Sequence, residues 1–339
     1  MMEEPAPGHS PRRGLRSIPT ASMSSRSHLR LRSTVMRIGP IATLALLTAC
    51  APRVPAPPPV GDAGGASLSA EAEVVAAERA FAAAAARDGV RDAFLAFAHD
   101  SALALQPEPG NAKELWRARP RTAGRLAWYP AWARAARSGD LGFTTGPFET
   151  TDSAGAVRGY GQYVTVWRRT ADGWRFVIDL GSPHPRPDAA PAEWRATARD
   201  PSTAEATPDV DADAARSLLA ADSGFAARAA TDGLEAALRT YGDAEMRLLR
   251  PRAFPRVGLG AALAALRGDG ARRYTLRPAR AFASAAGDLG WTWGEYQWVH
   301  PGAGRRESGH YLRIWSRGPG RGWRVLLDVV APRPSERDE

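Results

Sequence analysis

The chain has 339 residues, 44% of them hydrophobic, and a formal charge of +9. That length suits two domains better than one, and the hydrophobic share is that of an ordinary globular protein. Residues 1–49 hold seven arginines and two glutamates, and the remainder carries 38 basic against 34 acidic residues with no Lys/Arg cluster, which argues against nucleic acid as a partner.

Residues 1–35 are rich in Arg, Ser and Pro and are expected to lack a fold. Arg12-Arg13 stands too far from the next apolar run for a twin-arginine signal, so Met36 is the expected start. Residues 36–50 read MRIGPIATLALLTAC. A short positive start, an apolar stretch from Ile38 to Leu47, and Leu47-Thr48-Ala49-Cys50 form the pattern of a lipoprotein signal, with Cys50 the residue to be acylated. The run is too short to span a bilayer, which takes roughly 20 residues. Cys50 is the only cysteine, so no disulfide can form within the chain. Residues 50–69 are rich in Pro, Ala and Gly and read as a tether. The expected address is therefore the cell envelope, with a lipid anchor on the periplasmic side of the outer membrane where two membranes exist.

Past the tether, Glu71–Arg87 carries Val74, Val75, Glu78, Phe81, Ala82 and Ala85 at helical spacing. Asp88-Gly89 ends that helix, and a left-handed glycine cap is expected there. A second short helix is expected over Val90–Ala98, a strand near Leu103–Gln106, and a helix capped by Asn111. The period then changes to two. Arg125–Arg137 with Leu141–Glu149, and Tyr160–Arg169 with Trp174–Leu180, are expected hairpins.

These features return further along. Phe81, Asp88-Gly89, Leu105 and Pro107 recur as Phe225, Asp232-Gly233, Leu249 and Pro251. Asp140-Leu141-Gly142 recurs as Asp288-Leu289-Gly290, Gly161, Tyr163 and Trp167 as Gly309, Tyr311 and Trp315, and Trp174-Arg175, Asp179 and Pro183 as Trp323-Arg324, Asp328 and Pro332. The offset drifts only from 144 to 149, so the chain holds a duplicated domain. The expected organisation is leader and signal at 1–49 (signal 36–49), tether at 50–69, first domain at 70–185, linker at 186–210 and second domain at 211–334. Trp194 in the linker is expected to dock on a domain.

The order of elements, with G-D-L-G-[FW]-T, Y-V-T-V-W-R-R and D-G-W-R-F-V-I-D, resembles the nuclear transport factor 2-like superfamily, in particular its SnoaL-like and secreted branches. The resemblance covers residues 70–185 and 215–334 and implies an α+β fold: two tandem cones, each with N-terminal helices on a curved antiparallel sheet around a pocket. That superfamily includes ketosteroid isomerases, polyketide cyclases, epoxide hydrolases and members with no known reaction, so the resemblance leaves function open.

Strand alternation assigns faces. Trp174, Phe176, Ile178 and Leu180 share one side and are expected beneath the helices, which places Asp179 and Asp328 outside beside Arg175 and Arg324. The side bearing Tyr163, Thr165 and Trp167 is expected to pack one domain on the other, in an intramolecular pseudo-dimer or a homodimer. With the aliphatic side inward, the pocket is expected to be lined by Phe143, Thr145 and Gln162 in the first copy and by Trp291 and Trp293 in the second. Glu295 and His310 then form the expected acid–base pair of the second copy. No histidine pair has zinc-ligand spacing, no G-x-S-x-G nucleophile motif exists, the only lysine, Lys113, forms no phosphate-binding loop, and neither metal nor cofactor is expected. The leading functional expectation is an anchored envelope lipoprotein that binds a small apolar ligand or a protein partner without catalysis. The alternative is an isomerase, cyclase or hydrolase acting through Glu295 and His310.

Overall fold

A computed structural model describes residues 69–195, 213–267, 273–299 and 306–334. Cys50, the signal, the tether up to residue 68 and residues 196–210 of the linker lie outside them.

In the first half, Ser69 caps helix α1 (Ala70–Asp88) by accepting a hydrogen bond from the Ala72 amide. The buried side of α1 carries Val74, Val75, Glu78, Phe81, Ala84 and Ala85. Gly89 then turns the chain into α2 (Val90–Phe97) with φ 92° and ψ 154°. That is positive φ with an extended ψ, a region open to glycine alone, in place of the expected left-handed cap. β1 (Ala98–Ala104), β2 (Gly110–Asn111), α3 (Ala112–Ala118), β3 (Arg125–Trp128), β4 (Trp132–Ala135), β5 (Leu141–Thr151), β6 (Val157–Thr170) and β7 (Gly173–His184) follow. The sheet order is β2-β1-β7-β6-β5-β3, with β4 also on β5 and β1 parallel to β7.

The second half repeats this plan. Helix α4 (Ala214–Tyr241) is one run kinked at Gly233, whose φ of 88° matches that of Gly89. β8 (Gly242–Leu249), β9 (Arg256–Val257), α5 (Leu259–Leu266), β10 (Arg273–Ala283), β11 (Leu289–Val299), β12 (Arg306–Ser316) and β13 (Arg324–Pro332) build a sheet of order β10-β11-β12-β13-β8-β9. This is the first sheet's order, with β10 in the place of β3 and β4. Each half is therefore α+β, with helices laid on a curved, mostly antiparallel sheet. At the bend, a Cβ on Gly146 would lie 1.9 Å from the Tyr129 carbonyl, and one on the equivalent Gly294 would lie 2.2 Å from the Arg277 carbonyl, so both positions require glycine.

The two halves pack sheet on sheet, giving helix, sheet, sheet and helix layers. Val164, Val166, Ile178 and Leu180 of the first half and Leu312, Ile314, Leu327 and Val329 of the second form one buried cluster. The contact is reciprocal, as in an isologous interface: Asp140 accepts from the Ala285 amide at 3.0 Å, and Asp288 accepts from the Arg137 amide at 3.1 Å. Ala285 is the counterpart of Arg137 by the same offset that relates the two aspartates. Trp194 docks on the first half, donating to Glu71 and taking the Arg79 guanidinium on its carbonyl.

This arrangement inverts the expected faces. The aliphatic side meets the other sheet, and the side with Tyr163, Thr165 and Trp167 meets the helices. Hydropathy does not separate the two sides of β6 and β12, since a layer between sheets takes the same aliphatic residues as a core beneath helices, and in the last strands two equivalent β-bulges add a change of parity. Register shifts between Val166 and Trp167 as β6 pairs with β7, and between Ile314 and Trp315 as β12 pairs with β13. One extra residue at Val177, and another at Leu326, reverses the alternation within the last strand. Trp174 and Phe176 pack with the helices, whereas Ile178 and Leu180 pack against the other sheet.

Candidate functional site

Beyond the bulge, Asp179 faces the helices of its own half instead of lying outside beside Arg175. It lines a cleft of about 240 Å³ with Phe94, Trp116, Arg119, Leu126, Trp128, Phe148 and Tyr163. An adjoining space of about 150 Å³ runs between Asp179, Phe176 and Leu103–Gln106. The walls are largely aromatic: Trp116 stacks on Phe94 with centroids 4.1 Å apart, and Phe94 meets Phe176 edge-on.

Three protonatable groups gather here. Asp179 accepts one hydrogen bond, from Thr165 Oγ1 at 2.9 Å. Burial, and then the charge of Glu78, push its carboxyl up to about 7. Glu78 projects from α1 and is fully buried. It accepts from Trp128 Nε1 at 2.5 Å, Thr144 Oγ1 at 2.5 Å and Trp167 Nε1 at 2.9 Å. Burial raises its pKa against the opposing pull of those donors. The Tyr163 hydroxyl is buried without a hydrogen-bond partner among the described residues, and burial raises its pKa well above that of a free phenol. An aromatic cleft with a carboxyl that titrates near neutrality and an unengaged phenol can hold a small apolar molecule by one polar atom and can exchange a proton with it.

The second half has the same scaffold with different occupancy. Asp328 stands at the register position of Asp179, Asp222 at that of Glu78, and Arg313 at that of Thr165. Arg313 is 1% exposed. Its Nε lies 2.6 Å from Asp328, its Nη1 lies 2.6 Å from Asp222, and its guanidinium covers the rings of Phe225 and Tyr311 at 4.0 and 4.1 Å. Tyr311, the counterpart of Tyr163, donates to Asp222 at 2.8 Å, and Arg250 pairs with Asp328 from the other side. These arginines hold Asp328 below the usual carboxylate range against its burial. Arg313 thus occupies, between sheet and helix, the position that Thr165 holds in the first half.

The residues expected to line the pocket lie on the other side of the sheets. Phe143 and Trp291 belong to the layer between sheets, with Trp293 packed on it. Thr145 donates to the Tyr163 carbonyl, and Gln162 donates to Thr145 at 3.0 Å. Glu295 and His310 pair across β11 and β12, and neither lines the two spaces described above. His310 is buried, with Nδ1 3.1 Å from the Leu105 carbonyl and Nε2 3.0 Å from Arg333. Glu295 is exposed and meets the same Arg333 at 3.4 Å. Burial, and then the Arg333 charge, lower the His310 pKa, which favours the neutral imidazole, and its contact with the Leu105 carbonyl joins the two halves. Sequence reasoning missed Asp179 and Glu78. A glutamate amid the apolar stripe of α1 was the available signal, because a carboxylate there needs donors from the strands it faces.

No family model matches the chain, and no curated protein matches it. Among solved structures, similar ones include a nuclear transport factor 2-like superfamily protein of Salmonella enterica (13% identity, 36% of this chain and 92% of that one, TM-score 0.31). A ketosteroid isomerase-like protein of Erwinia carotovora matches at 10% identity over 37% of this chain and 100% of that one, with TM-score 0.33. An NTF2-like protein of unknown function from Shewanella oneidensis matches at 12% identity over 34% of this chain and 96% of that one, with TM-score 0.29. Each match covers about a third of this chain. At those scores the fold rests on the strand order and packing described above.

Proposed function

We propose that this chain is an anchored lipoprotein with two nuclear transport factor 2-like halves, and that its first half binds a small, largely apolar molecule bearing one hydrogen-bonding group. The observation that carries the reading is the contrast between halves. Asp179 and Tyr163 stand unplugged at an aromatic cleft, while the equivalent Asp328 and Tyr311 are taken up by Arg313. The second half then serves as the fixed back wall that holds the first sheet in shape. Calorimetric titration of the full chain with 2-acetonaphthone, a two-ring ketone of suitable size, tests this. One site per chain is expected, lost in Thr165→Arg, which places the second half's plug in the first. No measurable binding in either protein would defeat the reading.

The position of Asp179 near neutrality favours a second reading, proton transfer. Its carboxylate would take a proton from carbon next to a carbonyl, and the Tyr163 hydroxyl would donate to the oxygen as charge builds there. Deuterium exchange into the methyl group of the same ketone, followed by proton NMR, separates the two readings. Exchange that Asp179→Asn abolishes while leaving binding intact supports catalysis. Binding with no exchange above buffer leaves a carrier.

A further inference from the structure

From the rim of the cleft we infer that its ligand is an anion: an apolar, ring-bearing carboxylate whose charge pairs with Arg119. The inference rests on the reading of the first-half cleft as a ligand site. Arg119 follows the last turn of α3 and lines both spaces of the cleft. Its guanidinium lies 4.3 Å over the Trp116 ring, and Trp116 in turn stacks on Phe94. The cation is thus held at the head of an aromatic ladder that descends to Phe176 beside Asp179. Among the described residues the guanidinium of Arg119 makes no ion pair and no hydrogen bond. Arg119 is exposed at the rim, where an anion arriving from solvent can reach it, and what desolvation it suffers lowers its pKa.

The surroundings reinforce this sign. Arg91 donates to the Trp116 and Arg117 carbonyls, fixing the end of α3. Asp92, a carboxylate on α2, is already shared by Arg91 at 3.3 Å and Arg121 at 3.0 Å. Arg119 is therefore left for something that arrives from solvent. The interior fixes the orientation. Asp179 and Glu78 would repel a carboxylate at depth, so the charge stays at the rim and the rings go inward. Five donors on a planar fork suit a carboxylate, which the guanidinium can meet through two parallel hydrogen bonds.

The test is calorimetry on the full chain with two probes of one shape, 2-naphthoate and 2-naphthamide. The wild-type chain should bind the naphthoate about tenfold or more tighter, the scale of one charge-assisted contact. Arg119→Gln should bring that ratio to near one while leaving naphthamide affinity within about twofold. Arg117→Gln, which removes a neighbouring charge of the same sign, should leave the ratio standing. If the wild-type ratio is near one, or if Arg117→Gln erases it as well as Arg119→Gln does, specific pairing by Arg119 is wrong, although naphthamide binding would still uphold the cleft as a site. If neither probe binds, both the inference and the ligand-site reading fall.

Discussion

Arg313 stands in the second half where Thr165 stands in the first, and each reaches the aspartate across from it on the last strand, at 2.6 Å to Asp328 and 2.9 Å to Asp179. A hydroxyl leaves Asp179 desolvated without a cation. A guanidinium gives Asp328 and Asp222 one shared counter-charge and takes up the space between sheet and helix. Removing it should be costly, because Asp222 would stay buried with no cation and Asp328 would keep only Arg250. Arg313→Thr is expected to lose about 3–5 kcal/mol of stability, the range for breaking a buried ion pair. For halves of this size that lowers the melting temperature on the order of 10 °C. A thermal scan at neutral pH reads the loss, and a shift of a degree or two would show that Arg313 is dispensable.

Asp179 makes the stability of the first half depend on pH. Its carboxyl is raised to about 7 in the folded chain, by burial first and by Glu78 second. In the unfolded chain an aspartate titrates at about 3.9. Between those values the folded state binds the extra proton, so this group's favourable contribution is whole below about pH 4 and is lost as pH climbs to about 7. The loss is at most on the order of a few kcal/mol, since a tenfold difference in proton affinity between the two states is worth about 1.4 kcal/mol. Asp179→Asn removes the group. Relative to that variant, the wild-type chain should grow less stable from pH 4.5 to 8, as read by urea midpoints. A constant difference, or one of the opposite sign, would show that Asp179 is ionised throughout.

Much of this was legible in the sequence, for reasons that particular residues make plain. The duplication survives because Tyr163 with Tyr311, Trp167 with Trp315 and Gly146 with Gly294 keep strand spacing while loops change length. The helices were legible from the apolar stripe of α1 and from Asn111, which does cap α3 by accepting from the Glu114 amide. The faces were not. A dry layer between two sheets asks for the same Val, Leu and Ile as a core beneath helices, so hydropathy alone does not tell the two sides apart. Strict alternation then failed at Val177 and Leu326, where a single inserted residue changes parity with no mark in the sequence. Asp179 is expected outside for that reason, while Glu295 and His310 are expected as a pair because the aliphatic side is taken as the inner one. The better clue was pairing. Glu78 and Asp222 are acidic residues on otherwise apolar helix faces, and the side with Tyr, Thr, Arg and Trp supplies their donors.

The shared layer is expected to tie the two halves into one folding unit. Leu312 is fully buried against the first sheet's Val164 and Val166 cluster, so Leu312→Ala opens a cavity that both halves border. A cost of about 2–5 kcal/mol is expected. Hydrogen exchange reads where that cost appears. If the halves unfold together, amides on β6 of the unmutated first half lose protection by the same free energy as those on β12. Exchange on β6 that stays at the wild-type rate would mean that the halves open independently, and the second sheet would no longer qualify as the first one's support.

The proposed lipid anchor would sit on Cys50, the only cysteine of the sequence, so no other residue can take the thioether and no disulfide within the chain competes for it. The signal is read by an apolar run, two small residues and then the thiol, so the processed chain should begin at Cys50 and carry acyl chains there. Each buried methylene contributes about 0.8 kcal/mol to membrane binding, and one chain alone holds only reversibly, so firm attachment requires two or more. Mass spectrometry of the membrane fraction should find an N-terminal fragment whose mass exceeds that of the peptide by a diacylglyceryl group or more. Cys50→Ser should move the protein to the soluble fraction with both halves still folded. An unmodified Cys50 in the purified protein, or a Cys50→Ser chain that stays with the membrane, would show that something other than this residue sets its location.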